Sequence, residues 1–325
     1  MKILIYSFND KLGDGLQKIT FIQQLKRLFP LSQITYTTTQ TTTLKNLLYP
    51  LINNCIDKFI ENNGINSSFK NLFKKNNKFI DQKYDLIIDL QKVVIKTLSL
   101  KKINHDSFLS TAANFLFSNF KNELKLQFQN IYIERFYFNI LSILKNENID
   151  KIPEMNIPNY KTPKLKRKNK KKIIGIAPGA GDEIRIWGFD NYLLIAKILR
   201  DMNYQIYFFL GPQEKKYLDI CRKNDFICPE WNDGKMISNN ILFIMNLAKQ
   251  VDCLLCNDGG TSWIFEFAGV KTFKIFGVTN ERKFSRPGYS NTIQVKDYGY
   301  SQLQLFPAKL YKELLDQFLI ELENG

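Results

Sequence analysis

The chain has 325 residues, with 46 Lys and Arg against 31 Asp and Glu, a net charge of +15. Hydrophobic residues make up 44% and aromatics 14%, enough to fill packed interiors, which excludes a generally disordered chain. No apolar run reaches the roughly 18 residues of a membrane span; the length suits two medium domains, and the charge suits nucleic acid, an anionic lipid surface, a phosphorylated substrate, or simply a lysine-rich surface.

In chain order, KILIYSF (2–8) reads as a strand, and the apolar run there is too short for a signal peptide, so a cytoplasmic protein is expected. Leu16, Ile19, Ile22, Leu25 and Phe29 then recur at helical spacing until Pro30. SQITYTTT is a second strand, and TLKNLLYPLINNCIDKFI (43–60) predicts a helix interrupted at Pro50. KYDLIIDLQ (83–91) is a strongly apolar strand, followed by mostly helical sequence to about residue 147. Strands alternating with helices predict a parallel, doubly wound sheet.

Residues 151–172 carry three prolines, and the last twelve hold eight Lys or Arg, which reads as an exposed basic linker. The alternation then resumes: strand IIGIA, helix GFDNYLLIAKILRDM, strand YQIYFFL, a helix from Gln213 to about Lys223, and DFICPE as a further strand-like run. A helix near 241–250, strand VDCLLCN, short helix TSWIFEFAG and strand KTFKIFG follow. FPAKLYKELLDQFLIELE closes the chain as an amphipathic helix with Pro307 in its first turn. Cys253 and Cys256 form a C-x2-C with no second pair, in a run that reads as a buried strand, so structural cysteines are expected there rather than a metal site.

In open α/β sheets, ligands sit beyond the carboxyl ends of strands. Three such ends in the second half carry suitable residues. After the first, Gly179, Ala180 and Gly181 let a ligand approach the backbone, and Arg185 offers a fork of donors to phosphate oxygens. After the next, Glu214 can accept ribose hydroxyl protons. After the third, Asp258, Gly259 and Gly260 turn into a helix whose first N–H groups favour an anion, with Thr261 and Ser262 adding hydroxyl donors. Together they suit a nucleotide diphosphate. In the first half, the loop after the first strand holds a carboxylate instead, Asp14 between Gly13 and Gly15. Taken alone it is either a helix N-cap or a base. No Walker A loop, dinucleotide fingerprint or nucleic-acid module is present.

The stretches KLGDGLQKITFIQQLKRLFP, YDLIIDLQ, APGAGDEIRIWGFDNYLLIAKIL, LGPQE and NDGGTSWIFEFAGVKTFKIFGVTN resemble, in order and approximate spacing, glycosyltransferase family 9, the ADP-heptose:lipopolysaccharide heptosyltransferases. The resemblance implies the GT-B architecture: two Rossmann-like doubly wound domains facing across a cleft. It places an acceptor domain at 1–160, the basic linker at 161–172, a nucleotide-sugar domain at 173–300, and a helix at 301–325 returning toward the first domain. It implies Asp14 as catalytic base with Gly13 and Gly15 clearing space for an acceptor hydroxyl. Gly179, Ala180, Arg185, Glu214 and residues 258–262 would hold the nucleotide sugar. It further implies an inverting reaction without metal or cofactor. The acceptor would be a phosphorylated glycolipid at the inner face of an anionic membrane. Trp263 stands where the family often has histidine, as either a packing residue or one that reshapes the donor pocket; Gly259 replaces a common hydroxyl residue. Another sugar donor, or a relative that binds nucleotide without turnover, are the competing readings.

Overall fold

The computed structural model of the chain describes residues 1–68, 78–79, 82–167, 171–277, 279–303, 306 and 311–323. It divides into two compact units, Met1–Asn156 and Ile157–Gly325.

The first unit is a five-stranded, wholly parallel sheet in the order β3-β2-β1-β4-β5, made of β1 (Lys2–Ser7), β2 (Gln33–Thr38), β3 (Lys58–Ile60), β4 (Lys83–Asp89) and β5 (Asn104–Ser110). β1 is central and buried on both faces, so it reads as an unbroken apolar run rather than an alternating one. Its helix α1 (Leu12–Leu28) buries Leu16, Ile19, Ile22 and Leu25 and carries Lys26 and Arg27 in its last turn, where the helix dipole favours cations. The other helices are α2 (Tyr49–Ile52), α3 (Val94–Leu100) and α4 (Ile133–Lys145).

Two expectations fail here. The 43–60 stretch is not one helix: a short 3-10 turn at Thr43–Lys45 and the four-residue α2 are followed by β3 on the sheet edge. Asn54 adopts a left-handed φ of 67°, which ends α2 and turns the chain into the strand. The region 92–147 is also not mostly helical, because β5 pairs with β4 along seven residues and an irregular segment runs from 111 to 131 before α4.

The second unit has its own five-stranded parallel sheet, in the order β12-β11-β10-β6-β7. Its strands are β6 (Ile173–Ala177), β7 (Gln205–Phe208), β10 (Cys253–Asn257), β11 (Lys271–Phe276) and β12 (Ser290–Gln294). A two-residue hairpin pair, β8 (Trp231–Asn232) and β9 (Lys235–Met236), stands apart. The helices are α5 (Phe189–Asp201), α6 (Leu218–Lys223), α7 (Ile241–Ala248), α8 (Gly260–Phe267), α9 (Glu281–Phe284) and α10 (Tyr311–Glu323). On α5, Phe189, Tyr192, Ile195, Ala196 and Leu199 fall on one buried face at helical spacing. Trp187 anchors this core: it is 2% exposed, packs edge-on against Tyr192 at 5.4 Å, and donates its indole N–H to the Phe306 carbonyl at 3.0 Å.

The run DFICPE forms only an isolated bridge, Tyr207 to Ile227, and β12 was not foreseen. The basic segment is not a free linker. From residue 157 it belongs to the second unit: Asn246 donates to the Pro158 carbonyl, Gln250 to the Pro163 carbonyl and Thr162 hydroxyl, and Asp252 pairs with Arg167 at 2.8 Å. The last helix likewise packs its Leu314, Phe318 and Leu322 into the second unit's core, with Phe318 edge-on to Phe273 at 5.7 Å. Pro307 lies outside the described residues. Cys253 and Cys256 are buried and unbridged, and three positions along a strand put them on opposite faces, where they cannot share an ion.

The strand orders locate where a ligand can sit. In the first sheet successive connections reverse direction between β1 and β4; in the second they reverse between β6 and β10. At such a switch point the loops diverge to opposite faces and leave a crevice at the carboxyl ends of the strands.

Candidate active site

In the second unit the loops after β6 and β10 carry most of the residues singled out from sequence. Asn257, the last residue of β10, ties them together. Its Oδ1 accepts from the Trp187 N–H at 3.2 Å and the Tyr192 hydroxyl at 2.8 Å, while its Nδ2 donates to the Pro178 carbonyl at 2.7 Å. Both sides of the switch point are therefore set by one buried amide. Asp258 follows, 4% exposed, with Arg185 Nη1 3.8 Å from its Oδ2. That distance is an ion pair but too long for a hydrogen bond. Asp258 Oδ2 and Arg185 Nε are both buried without a hydrogen-bond partner. Both atoms lie in the loops at the carboxyl ends of β6 and β10, where the topology opens a crevice.

Gly259 is extended and leads into α8, whose first residues are Gly260 and Thr261. The first-turn N–H groups there have no intrahelical acceptor and face the positive end of the helix dipole. Ser262 does not join them as an open donor: it is fully buried and gives its hydroxyl proton to the Gly259 carbonyl at 2.8 Å, closing the turn. Behind the turn, Glu266 and Lys274 form a fully buried pair at 2.8 Å. Thr272 donates to the same carboxylate at 2.5 Å, and Arg286 donates to the Glu266 carbonyl at 2.6 Å. Trp263 lies in this layer, 3% exposed, with the Lys274 ammonium 4.4 Å from its ring centre and Phe267 stacked at 5.8 Å. It is a packing residue.

Glu214 sits in the 3-10 turn Pro212–Tyr217 after β7 and backs onto Gly179. A Cβ on Gly179 would lie 2.4 Å from the Glu214 carboxyl carbon, so the glycine is required for the carboxylate to be there. Burial pushes the Glu214 carboxyl above its ordinary value, and backbone N–H groups at 214 and 211 draw it partly back. A cavity of about 150 Å³ opens beside it, lined by residues 178–183, by Glu214, and by Lys216, a cation that sequence reading missed.

In the first unit, Asp14 is exposed in the first turn of α1. The N-cap is Lys11, so Asp14 is not the cap. Gly13 beside it is half-buried, whereas Gly15 is buried, and a Cβ there would lie 2.6 Å from Leu48 Cδ1 and Thr43 Oγ1. That bare Cα serves the packing of α1. What holds the Asp14 backbone was not foreseen. Lys18, 3% exposed, donates to the Asp14 carbonyl at 2.9 Å and pairs with buried Asp10 at 2.7 Å. Asp10 also accepts from Ser7, Tyr36 and Thr42 hydroxyls at 2.8 to 2.9 Å. Burial alone would raise the Asp10 carboxyl, but the Lys18 ammonium and the hydroxyls outweigh it and hold it below its ordinary value. The same pair holds the Lys18 ammonium above its ordinary value against the pull of burial. Asp14 thus projects from a rigid, fully paired base.

The profile of glycosyltransferase family 9 (heptosyltransferase) matches residues 73–305. A comparison with curated protein sequences gives no match. Among solved structures, the chain is similar to a family 9 glycosyltransferase from Veillonella parvula, at 17% identity, 98% and 97% coverage of the two chains, and a TM-score of 0.61. It is similar to the Escherichia coli heptosyltransferase WaaC with ADP-2-deoxy-2-fluoro heptose, at 12% identity, 98% and 99% coverage and a TM-score of 0.62. It is also similar to the E. coli ADP-heptose LPS heptosyltransferase II, at 14% identity, 99% and 100% coverage and a TM-score of 0.56. At these identities the likeness establishes the fold, which is GT-B.

Proposed function

Because the chain belongs to glycosyltransferase family 9, we propose that it moves a heptose or related sugar from an ADP-sugar to a hydroxyl of a lipopolysaccharide core or similar glycan, with inversion at the anomeric carbon. The observation that carries the donor half is the second unit's switch point. There, Arg185 and Asp258 stand 3.8 Å apart at the turn into α8, each with a buried polar atom that lacks a hydrogen-bond partner, and Glu214 of the neighbouring loop backs onto Gly179. In this reading Glu214 accepts ribose hydroxyls, and the Gly260 and Thr261 N–H groups receive the diphosphate. Arg185 meets the charge that builds on the leaving phosphate, a preorganised electrostatic role that assigns no step to a metal. The first unit supplies the base. Asp14 takes the proton of the acceptor hydroxyl as it attacks the anomeric carbon through an oxocarbenium-like transition state.

The direct test is release of ADP when purified protein is given ADP-heptose and a lipid A–Kdo acceptor. Asp14→Asn lowers turnover by about 10²- to 10⁴-fold and leaves ADP affinity unchanged; undiminished turnover in that variant removes Asp14 from the chemistry. The same assay with GDP- and UDP-sugars tests the donor. Trp263 packs against Lys274 and Phe267, so the donor panel, not this residue, decides between the sugars. ADP affinity without turnover of any donor would favour a non-catalytic relative.

No helix among the described residues is long and apolar enough to cross a membrane. The net charge of +15 supports peripheral attachment to the anionic inner face of the cytoplasmic membrane, where a phosphorylated glycolipid acceptor would lie. Vesicles containing phosphatidylglycerol should co-sediment with the protein at low salt and release it at high salt; salt-insensitive binding would count against this placement.

A further inference from the structure

The first unit holds a cavity of about 470 Å³, at the carboxyl ends of β4 and β5, that none of the roles above uses. Its wall is the irregular 111–131 segment together with Lys92. A segment of that length without regular structure is usually functional or disordered, and this one is tied down. Asn119 exchanges two hydrogen bonds with the Phe108 backbone at 2.8 Å, Asn139 holds the Gln127 carbonyl at 2.6 Å, and Phe115, Phe128 and Phe136 pack edge-to-face in series. Ala113, Asn114 and Phe115 all take left-handed φ values, 48°, 53° and 66°, a conformation that side chains other than glycine resist. The strain is concentrated where the cavity wall is made.

The lining is amide-rich and weakly charged. Thr111 is 7% exposed, and its hydroxyl is buried without a hydrogen-bond partner. Asn114, Gln127, Gln129 and Asn130, all exposed and all carrying side-chain amides, line the same space. Among the described residues, Lys92 is the one charged group on the wall, and it is engaged by the Phe128 carbonyl and by the Phe136 ring, 4.6 Å from its centre. Amides offer a donor and an acceptor side by side, which matches vicinal hydroxyls. The half-buried Phe115 and Phe128 rings give an apolar floor for the C–H face of a pyranose. An anionic ligand would find no uncommitted cation among the described residues of this wall.

We propose that this cavity binds an uncharged, polyhydroxylated sugar unit, with the Thr111 hydroxyl and the Gln127 and Gln129 amides as its readers. Only the further step, that this sugar is part of the acceptor, rests on the transferase reading; charged groups of the acceptor then lie elsewhere. The test is ligand-observed saturation-transfer NMR on the full chain with the methyl glycosides of glucose, galactose and mannose and with glucose 6-phosphate, beside calorimetry with ADP. At least one methyl glycoside should receive saturation at millimolar concentration. The double variant Gln127→Ala/Gln129→Ala, at two exposed positions, should lose that signal while ADP affinity is unchanged, and Thr111→Val should weaken it by about tenfold. No transfer to any glycoside while ADP binds overturns the proposal and leaves the transferase reading intact. Glucose 6-phosphate binding tenfold or more tightly than methyl glucoside overturns it in favour of an anion site. Glycoside binding in a protein without ADP affinity supports the cavity and overturns the transferase reading instead.

Discussion

In the first unit the reversal falls between β1 and β4, and the side chains beyond those strands include an exposed carboxylate, Asp14, and an amide-lined cavity. In the second it falls between β6 and β10, and the same positions hold Arg185, a helix start and unpaired polar atoms. The backing layer, however, is alike. Among the described residues, each unit holds a buried lysine–carboxylate pair: Asp10–Lys18 at 2.7 Å, beside the loop after β1, and Glu266–Lys274 at 2.8 Å, between the last turn of α8 and β11. A buried pair adds little net stability, but losing one partner strands the other charge. The first pair holds its loop directly, through Lys18 on the Asp14 carbonyl, whereas the second ties α8 to β11, the elements that follow the loop after β10.

The largest effects should come from breaking those pairs. Lys18→Met and Lys274→Met each lower unfolding free energy by about 3–5 kcal/mol, read by urea denaturation. The comparison sharpens in the fraction that stays folded. Lys18 also holds the Asp14 carbonyl, so its loss lowers turnover further, whereas Lys274 loss weakens ADP binding. Equal effects of both variants on turnover and on ADP affinity would break the assignment of separate tasks to the units. Next in size is Arg185→Ala. Removing a preorganised cation from a leaving group costs about 10²-fold in turnover, and ADP affinity should fall with it. Asp14→Asn weakening ADP as strongly as Arg185→Ala would erase the contrast.

Much of this was legible in the sequence. Central strands such as β1, β4 and β10 announce themselves as unbroken apolar runs because both faces are covered. The loops proposed to hold the donor stood out because glycine, arginine and carboxylate cluster after strand runs. Edge strands were not: β12, SNTIQ, has only its last two residues buried, and β3 is three residues long. β5 was hidden because its alternation is short and the phenylalanine-rich segment after it reads as helical, although left-handed backbone at Ala113, Asn114, Phe115, Lys125 and Asn130 breaks it repeatedly. The buried pairs left a signal that was not used. Lys18 falls on the apolar face of α1, and Glu266 and Lys274 interrupt the apolar runs of α8 and β11. A charge at a core position demands a buried partner, but which partner is set by tertiary packing: Ser7, Tyr36 and Thr42 reach Asp10 from three different segments. Gly15 and Gly179 have a packing reason that only tertiary structure reveals. Both are bare at Cα because Leu48 and Glu214 come close in space.

The smallest expected effect separates the units by pH. Glu230, 2% exposed, accepts from the Leu210 N–H at the root of the loop that carries Glu214, and its Oε2 has no partner. Burial pushes its carboxyl from 4.5 up to about 8. A folded-state value above the unfolded one means that the neutral form is favoured by folding. The stability it contributes is complete below the unfolded value and is lost as pH rises through the folded one. Asp10 runs the other way: its value is depressed, so its contribution is present above the unfolded value and lost only in acid. Alkaline pH therefore loads the second unit and spares the first unit's pair. Between pH 7 and 9 the second unit should lose about 1 kcal/mol, a fall of roughly 3 °C in its melting midpoint. Glu230→Gln, which keeps the shape and cannot ionise, should flatten that slope. An unchanged slope in the variant would mean that Glu230 is already ionised at neutral pH, and the loop at Leu210 would then need another anchor.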